Sequence, residues 1–221
     1  MAAKTLLGVF AKFWEAGKVK TRLASETSEQ FAADLYQAFI LTTLQRVSGI
    51  ADSQVLCVTP LERLGEFALL APPNWTISSQ ATGDLGNRME TFLQQAVEHQ
   101  FERVVLIGTD SPTLPAAIIE EAFEILTKVD CVIGPATDGG YYLIGCRQQV
   151  PPVFDGIDWS SDKVLDQTLK SLQQAGCSHQ LLPPWFDIDT IDDLKKLRNA
   201  EDGSALWLYQ RLDELEAEHL A

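Results

Sequence analysis

Short apolar runs alternate with longer stretches of helical periodicity along nearly all of this chain, and that alternation restricts the fold more than any single motif. Residues 5–11, 54–58, 75–79, 103–107, 131–133, 141–144 and 178–182 are short and apolar enough for strands. Residues 25–47, 61–70, 86–100, 115–128, 160–174, 190–198 and 205–219 carry helical spacing, several of them closed by Gly or Pro. Strands separated by helices predict a largely parallel sheet with helices on both faces. The expected fold class is therefore α/β, a single domain over residues 1–200. A C-terminal helix within 201–221, with Leu206, Trp207, Leu208, Leu212 and Leu215, is expected to dock on the domain or to form a homodimer contact.

The charge balance narrows the function classes. Seventeen Lys and Arg against 31 Asp and Glu leave a net charge of −14, which argues against non-specific binding to nucleic acid or to an anionic membrane surface. A hydrophobic fraction of 46% with 22% charged residues excludes wholesale disorder. No apolar run approaches the length of a membrane span, and the run after Lys4 is broken at Lys12, which predicts no signal peptide and a cytoplasmic chain. Cys57, Cys131, Cys146 and Cys177 form no C-x-x-C pair and read as reduced thiols. His99, His179 and His219 share no metal-ligand spacing.

Ligands of doubly covered sheets bind at the carboxyl ends of the strands, so the loops there are the ones to read. The first holds Lys12, Lys18, Lys20 and Arg22, four of the 17 basic residues within eleven positions, around Gly17. It suits a polyphosphate, although it is neither a Walker A loop nor part of any G-x-G-x-x-G run. Asp110, at the end of the run 103–107, suits magnesium or manganese, which are held by one or two carboxylates plus substrate phosphates. Its alternative is a cap for the following turn. Asp187 and Asp189 alternate on an extended segment, so at most one should join Asp110. Asp138, before Gly139 and Gly140, is available as a base or as a plain hairpin residue. Asp84 and Arg88 flank a glycine-bounded helix start that suits an anion or serves simply as an N-cap. Trp159 could stack on a sugar or pack in the core.

Taken in order, Phe10-Ala11-Lys12, Gly17-x-Val19-Lys20-Thr21-Arg22-Leu23, Gly83-Asp84-Leu85-Gly86, Ile107-Gly108-Thr109-Asp110-Ser111-Pro112, Gly134-Pro135-Ala136-Thr137-Asp138-Gly139-Gly140-Tyr141-Tyr142-Leu143 and Asp187-Ile188-Asp189-Thr190 resemble a bacterial transferase family. This is the radical-SAM and selenodomain-associated family, which is glycosyltransferase-like and includes an arsenosugar-biosynthesis type. The resemblance implies a GT-A-type, Rossmann-like nucleotide-diphospho-sugar transferase fold. It implies Lys12, Gly17, Lys20 and Arg22 at the nucleotide's phosphates, and Asp84 and Arg88 beside nucleotide or acceptor. Asp110 and Asp189 would hold a divalent metal, magnesium or manganese. Asp138, Gly139 and Gly140 would face the acceptor; by the chemistry of the residues themselves, Asp138 is the candidate acceptor base and Trp159 a candidate acceptor contact. The family's Pro-x-Pro-Gly turn is replaced here by Phe13-Trp14-Glu15-Ala16-Gly17. The expected activity is sugar transfer from a nucleotide-diphosphate donor to a small hydroxyl acceptor. The alternatives are guanylyltransferase-like joining of an NTP to a small phosphorylated metabolite, and a nucleotide-binding module without catalysis.

Overall fold

The computed structural model describes residues 4–199 and 205–220; of the segment 201–221, residues 201–204 and 221 lie outside the described part. The strands are β1 (Thr5–Lys12), β2 (Ser53–Thr59), β3 (Thr76–Ser79), β4 (Arg103–Ile107), β5 (Cys131–Pro135), β6 (Tyr141–Arg147) and β7 (His179–Leu181). They form one sheet in the order β3-β2-β1-β4-β6-β5-β7. Only β6 runs against the others, because it follows β5 through a tight loop rather than a helix.

The central strands are buried on both faces, and residue parity assigns each side. Leu7, Val9, Val105 and Ile107 point into a core shared with α2 (Glu29–Arg46), α5 (Ala116–Ile125), α7 (Ile191–Asn199) and α8 (Leu206–His219). Leu6, Val104 and Leu106 point the other way, onto α4 (Leu85–Glu98) and α6 (Val164–Gln174). α8 packs on α2 and buries Leu208, Leu212 and Leu215, while Leu206 and Trp207 stay exposed. Among the described residues no helix is long and apolar enough to cross a membrane.

Helix boundaries differ from the sequence reading where local hydrogen bonding decides. The long helix expected over 25–47 is two. α1 (Thr21–Glu26) ends at Thr27, and the Ser28 hydroxyl accepts from Phe31 N to start α2. Leu61–Arg63 form a 3₁₀ turn before α3 (Leu64–Leu70). Residues 160–163 are a turn ahead of α6, since Ser160 takes a left-handed φ of 66° that no helix continues.

Candidate active site

The carboxyl ends of β1 and β4 meet beneath α2 through a short polar chain. The Tyr36 hydroxyl accepts from Lys12 N at 3.2 Å and shares a hydrogen bond with the Thr109 hydroxyl at 2.9 Å. Burial pushes the Tyr36 phenol up to about 12, so it is neutral at any working pH. Next to it stands Lys20, at the left-handed φ of 46° that precedes α1. Its side chain is 3% exposed. The ammonium lies 5.8 Å from the Tyr36 ring centre and 5.7 Å from that of Phe39. It pairs with Asp110, and with Asp189 at 2.9 Å. Burial alone would lower the Lys20 pKa; the two carboxylates more than offset that and hold it above the ordinary lysine value.

Asp189 reaches this point because the segment before it is tied to the sheet. The Tyr142 hydroxyl donates to Pro183 O, Trp185 N to Pro135 O, and Ile188 N to Asp110 O. Ser111 donates from its hydroxyl to Phe186 O and, at 2.5 Å, to the Asp187 carboxylate. Burial raises the Asp187 carboxyl to about 6, with the Ser111 hydrogen bond opposing the shift and Asp110 adding to it.

Two cavities open at these strand ends. One, of about 280 Å³, is lined by Lys12, Gln80, Arg88 and Thr109 among others. The second, of about 530 Å³, is lined by Arg22, Asp138, Gly140, Trp159, Asp187 and Asp189. Asp110, Leu85, Met89 and Tyr141 line both, so the Asp110 carboxylate stands at their junction.

Residues 40–161 match the model of DUF2064, described as an uncharacterized protein conserved in bacteria. The chain belongs to the DUF2064 family. A crystal structure from Desulfovibrio desulfuricans G20, provisionally named a nucleotide-diphospho-sugar transferase, is 34% identical over 98% of both chains, with a TM-score of 0.89. The 3-phospho-D-glycerate guanylyltransferase of Phenylobacterium zucineum (strain HLK1) is 33% identical over 137 residues, 60% of this chain and 62% of that protein. The match thus spans about six-tenths of the curated relative. The inositol-1-phosphate CTP transferase of T. maritima shares the fold at 16% identity and a TM-score of 0.55, over 97% of each chain. This DUF2064 chain therefore has the nucleotide-diphospho-sugar transferase and cytidylyltransferase fold.

Several residues singled out in the sequence take other positions than expected. Lys20, expected at the nucleotide's phosphates, is buried and paired with Asp110 and Asp189. Lys12 donates to Lys18 O at 2.7 Å and closes the basic loop on itself. Gly17 lines neither cavity and faces the Glu29 carboxylate. Asp84 is an N-cap: its carboxylate accepts from Asn87 N, and it too lines neither cavity. Arg88 lines the smaller cavity and donates to Gly83 O. Asp187 and Asp189 do not face opposite ways. The segment is irregular rather than a strand, so both line the larger cavity, with Ser111 and Lys20 as their separate partners. Gly140 N donates to the Asp138 carboxylate at 2.9 Å. Trp159 packs against Gly86, where a Cβ would collide with its indole, and edge-on to Tyr141.

Two lining residues went unread in the sequence. Gln80 donates to Ala11 O and Cys57 O, carbonyls near the carboxyl ends of β1 and β2; nothing about a lone glutamine in a loop signals this. Tyr36 was legible only as one more apolar position of α2. The thiols of Cys57, Cys131 and Cys146 are buried, which raises their pKa and keeps them from acting as thiolates.

The buried Asp187 carboxyl has a consequence for stability. Its folded pKa of about 6 lies above the ordinary 3.8, so between those values the folded chain holds a proton that the unfolded chain releases. Stability from this group is complete below pH 4 and falls as pH rises to 6, by about 3 kcal/mol at 1.36 kcal/mol per unit. Asp187→Asn keeps an oxygen for the Ser111 hydroxyl and has nothing to ionise. Urea midpoints between pH 4 and 7 in chelator should therefore converge at pH 4, with the variant pulling ahead of wild type above it. Parallel curves would remove burial as the cause.

Proposed function

We propose that this chain is a nucleotidyltransferase that joins a nucleoside triphosphate to a small phosphorylated acceptor. The position of Asp110 at the junction of two adjoining cavities carries the reading. The smaller one suits the nucleotide, with Lys12 and Arg88 as cationic donors and strand-end backbone for a base. The larger one suits the acceptor, with Arg22 as a cation for its phosphate. The guanylyltransferase relative supports this reading, since its name specifies a phosphorylated acceptor.

The chemistry asks little of the protein beyond positioning and charge. An acceptor phosphate oxygen forms a new bond to the α-phosphorus as the bond to the bridging oxygen breaks and diphosphate leaves. A phosphomonoester is largely ionised at neutral pH, so no base is needed at the acceptor. Lys12 and Arg22 would bind phosphate groups and offset their charge in the transition state.

The carboxylates Asp110 and Asp189 also suit a divalent cation. Both already converge on one cationic centre, the Lys20 ammonium. Among the described residues no set of three or more His, Cys, Asp or Glu is arranged to hold a metal by itself. Two carboxylates completed by substrate phosphates is the usual arrangement for magnesium. Asp110 and Asp189 would hold the ion, and it would supply Lewis-acid stabilisation of phosphate charge.

Sugar transfer from a nucleotide-diphosphate donor, of the kind the arsenosugar-type resemblance implies, is a second reading. Trp159 and Asp138 on the larger cavity favour it, as an aromatic face for a sugar and a base for a hydroxyl. The two readings release different products. Incubation with magnesium and each NTP plus 3-phosphoglycerate or other phosphorylated hydroxy acids should release diphosphate in step with acceptor consumption. Release of a nucleoside diphosphate from a sugar nucleotide instead would establish the second reading. Neither product from any pairing would overturn both and leave a binding module.

A further inference from the structure

The Lys20 ammonium occupies the place where the two carboxylates of the site converge, and it has nowhere else to go. The ammonium lies over the Tyr36 and Phe39 rings, the side chain is 3% exposed, and the backbone is fixed at the turn into α1. Asp110 and Asp189 are 49% and 38% exposed, so each turns one side to Lys20 and the other to the cavity. A divalent ion arriving from the cavity would share both its carboxylate ligands with a fixed positive charge a few ångströms behind them. Like charges at that range repel strongly outside bulk water. Nucleotide phosphates reverse the balance, because they supply negative charge and further oxygen ligands together.

We propose that Lys20 is the resident counter-cation of the Asp110–Asp189 pair, and that it makes divalent-metal binding conditional on the nucleotide's phosphates. The inference rests on the reading of Asp110 and Asp189 as metal ligands. Lys20 holds the two carboxylates in register while lowering their affinity for a bare metal ion. Metal and triphosphate therefore bind with positive coupling, each raising the affinity of the other by the same factor.

Manganese alone is the probe, followed by electron paramagnetic resonance of the free ion at neutral pH, with and without GTP and with no acceptor present, and corrected for the Mn²⁺ that GTP binds in a protein-free titration. Lys20→Met keeps the length and apolar stem of the side chain and removes the charge. Without GTP it should bind Mn²⁺ at least tenfold more tightly than wild type, and its gain on adding GTP should be correspondingly smaller. Equal or weaker binding of bare Mn²⁺ by Lys20→Met would overturn the proposal. Should that variant fail to fold, Lys20→Gln, which also removes the charge, takes its place: tighter binding of bare Mn²⁺ than wild type supports the proposal, and equal or weaker binding overturns it. Asp110→Asn in the presence of GTP separates the two levels. Loss of Mn²⁺ there upholds the metal reading whatever Lys20 does, whereas unchanged Mn²⁺ binding removes that reading and this inference with it.

Discussion

Asp110→Asn should lower the turnover of nucleotidyl transfer by about 10²- to 10³-fold while leaving the protein folded. The magnitude is that of removing one preorganised group from a site where charge develops in the transition state. Asp110 lines both cavities, pairs with Lys20, and presents its backbone oxygen to Ile188 N, so its side chain and its main chain do separate jobs. The asparagine keeps the main-chain bond and the side-chain volume. What it removes is one of two negative charges facing Lys20 and the proposed metal, and Asp189 remains to pair the buried ammonium. Steady-state rates of diphosphate release, with far-ultraviolet circular dichroism as the fold check, measure the effect. The comparison variant is Asp192→Asn, on the exposed face of α7 where the carboxylate pairs with Lys195, and it should stay within twofold of wild type. A rate for Asp110→Asn within about threefold of wild type would remove Asp110 from the reaction.

Why Asp110 could be read in the sequence and Lys20 could not is a matter of which forces each depends on. After Arg103 the run to Ile107 is uniformly apolar and bounded, so it reads as a buried strand, and whatever follows it must lie at the sheet's carboxyl edge. Apolar runs likewise mark β1, β2, β4, β5 and β6, and helical spacing marks most helices, because burial generates both patterns; β7, whose three residues are exposed, is marked instead by the Pro183-Pro184 stop that follows it. The parity of Leu6 and Leu7 puts them on opposite faces of the sheet. The reversed β6 is visible too, in the short Asp138-Gly139-Gly140 link that leaves no room for a crossover helix.

Lys20 depends instead on long-range placement. Four basic residues in one loop look alike in sequence, and only the packing of Tyr36 and Phe39 from α2 and of Asp189, 169 positions away, selects one of them for burial. The facing of Asp187 and Asp189 failed for a related reason. Strand alternation applies to a strand, and residues 186–190 are held in an irregular path by Ser111 and the Asp110 carbonyl. Asp84 shows the reverse case. A cap and a nucleotide ligand need the same residue type at the same place, and the hydrogen bond to Asn87 N marks the cap.

The same long-range logic predicts a large effect at Gly139, a residue that touches neither cavity. Its φ of 93° lies outside the regions open to residues with a side chain, and a Cβ there would collide with the main-chain oxygen of Asp162. Its own carbonyl accepts from Leu165 N at 2.9 Å, so the β5–β6 loop and the start of α6 are locked together at this point. Gly139→Ala should cost about 2 to 6 kcal/mol, taking about 1 to 3 for the backbone conformation and a similar amount for the steric clash. At roughly 2–4 °C per kcal/mol for a chain of this size, the melting temperature falls by roughly 5–20 °C. Gly156 provides the internal comparison. It also has a positive φ, 71°, but nothing lies within 4 Å of the Cβ position, so Gly156→Ala reports the conformational cost alone. The excess loss at Gly139 then measures how rigidly residues 160–162, part of the rim of the larger cavity, are held against the loop. Because that rim must shift to admit the methyl group, the KM for the acceptor should rise while the KM for the nucleotide moves little. Equal destabilisation at the two glycines, or equal rises in both KM values, would show that the loop and the rim are not coupled as the backbone contact implies.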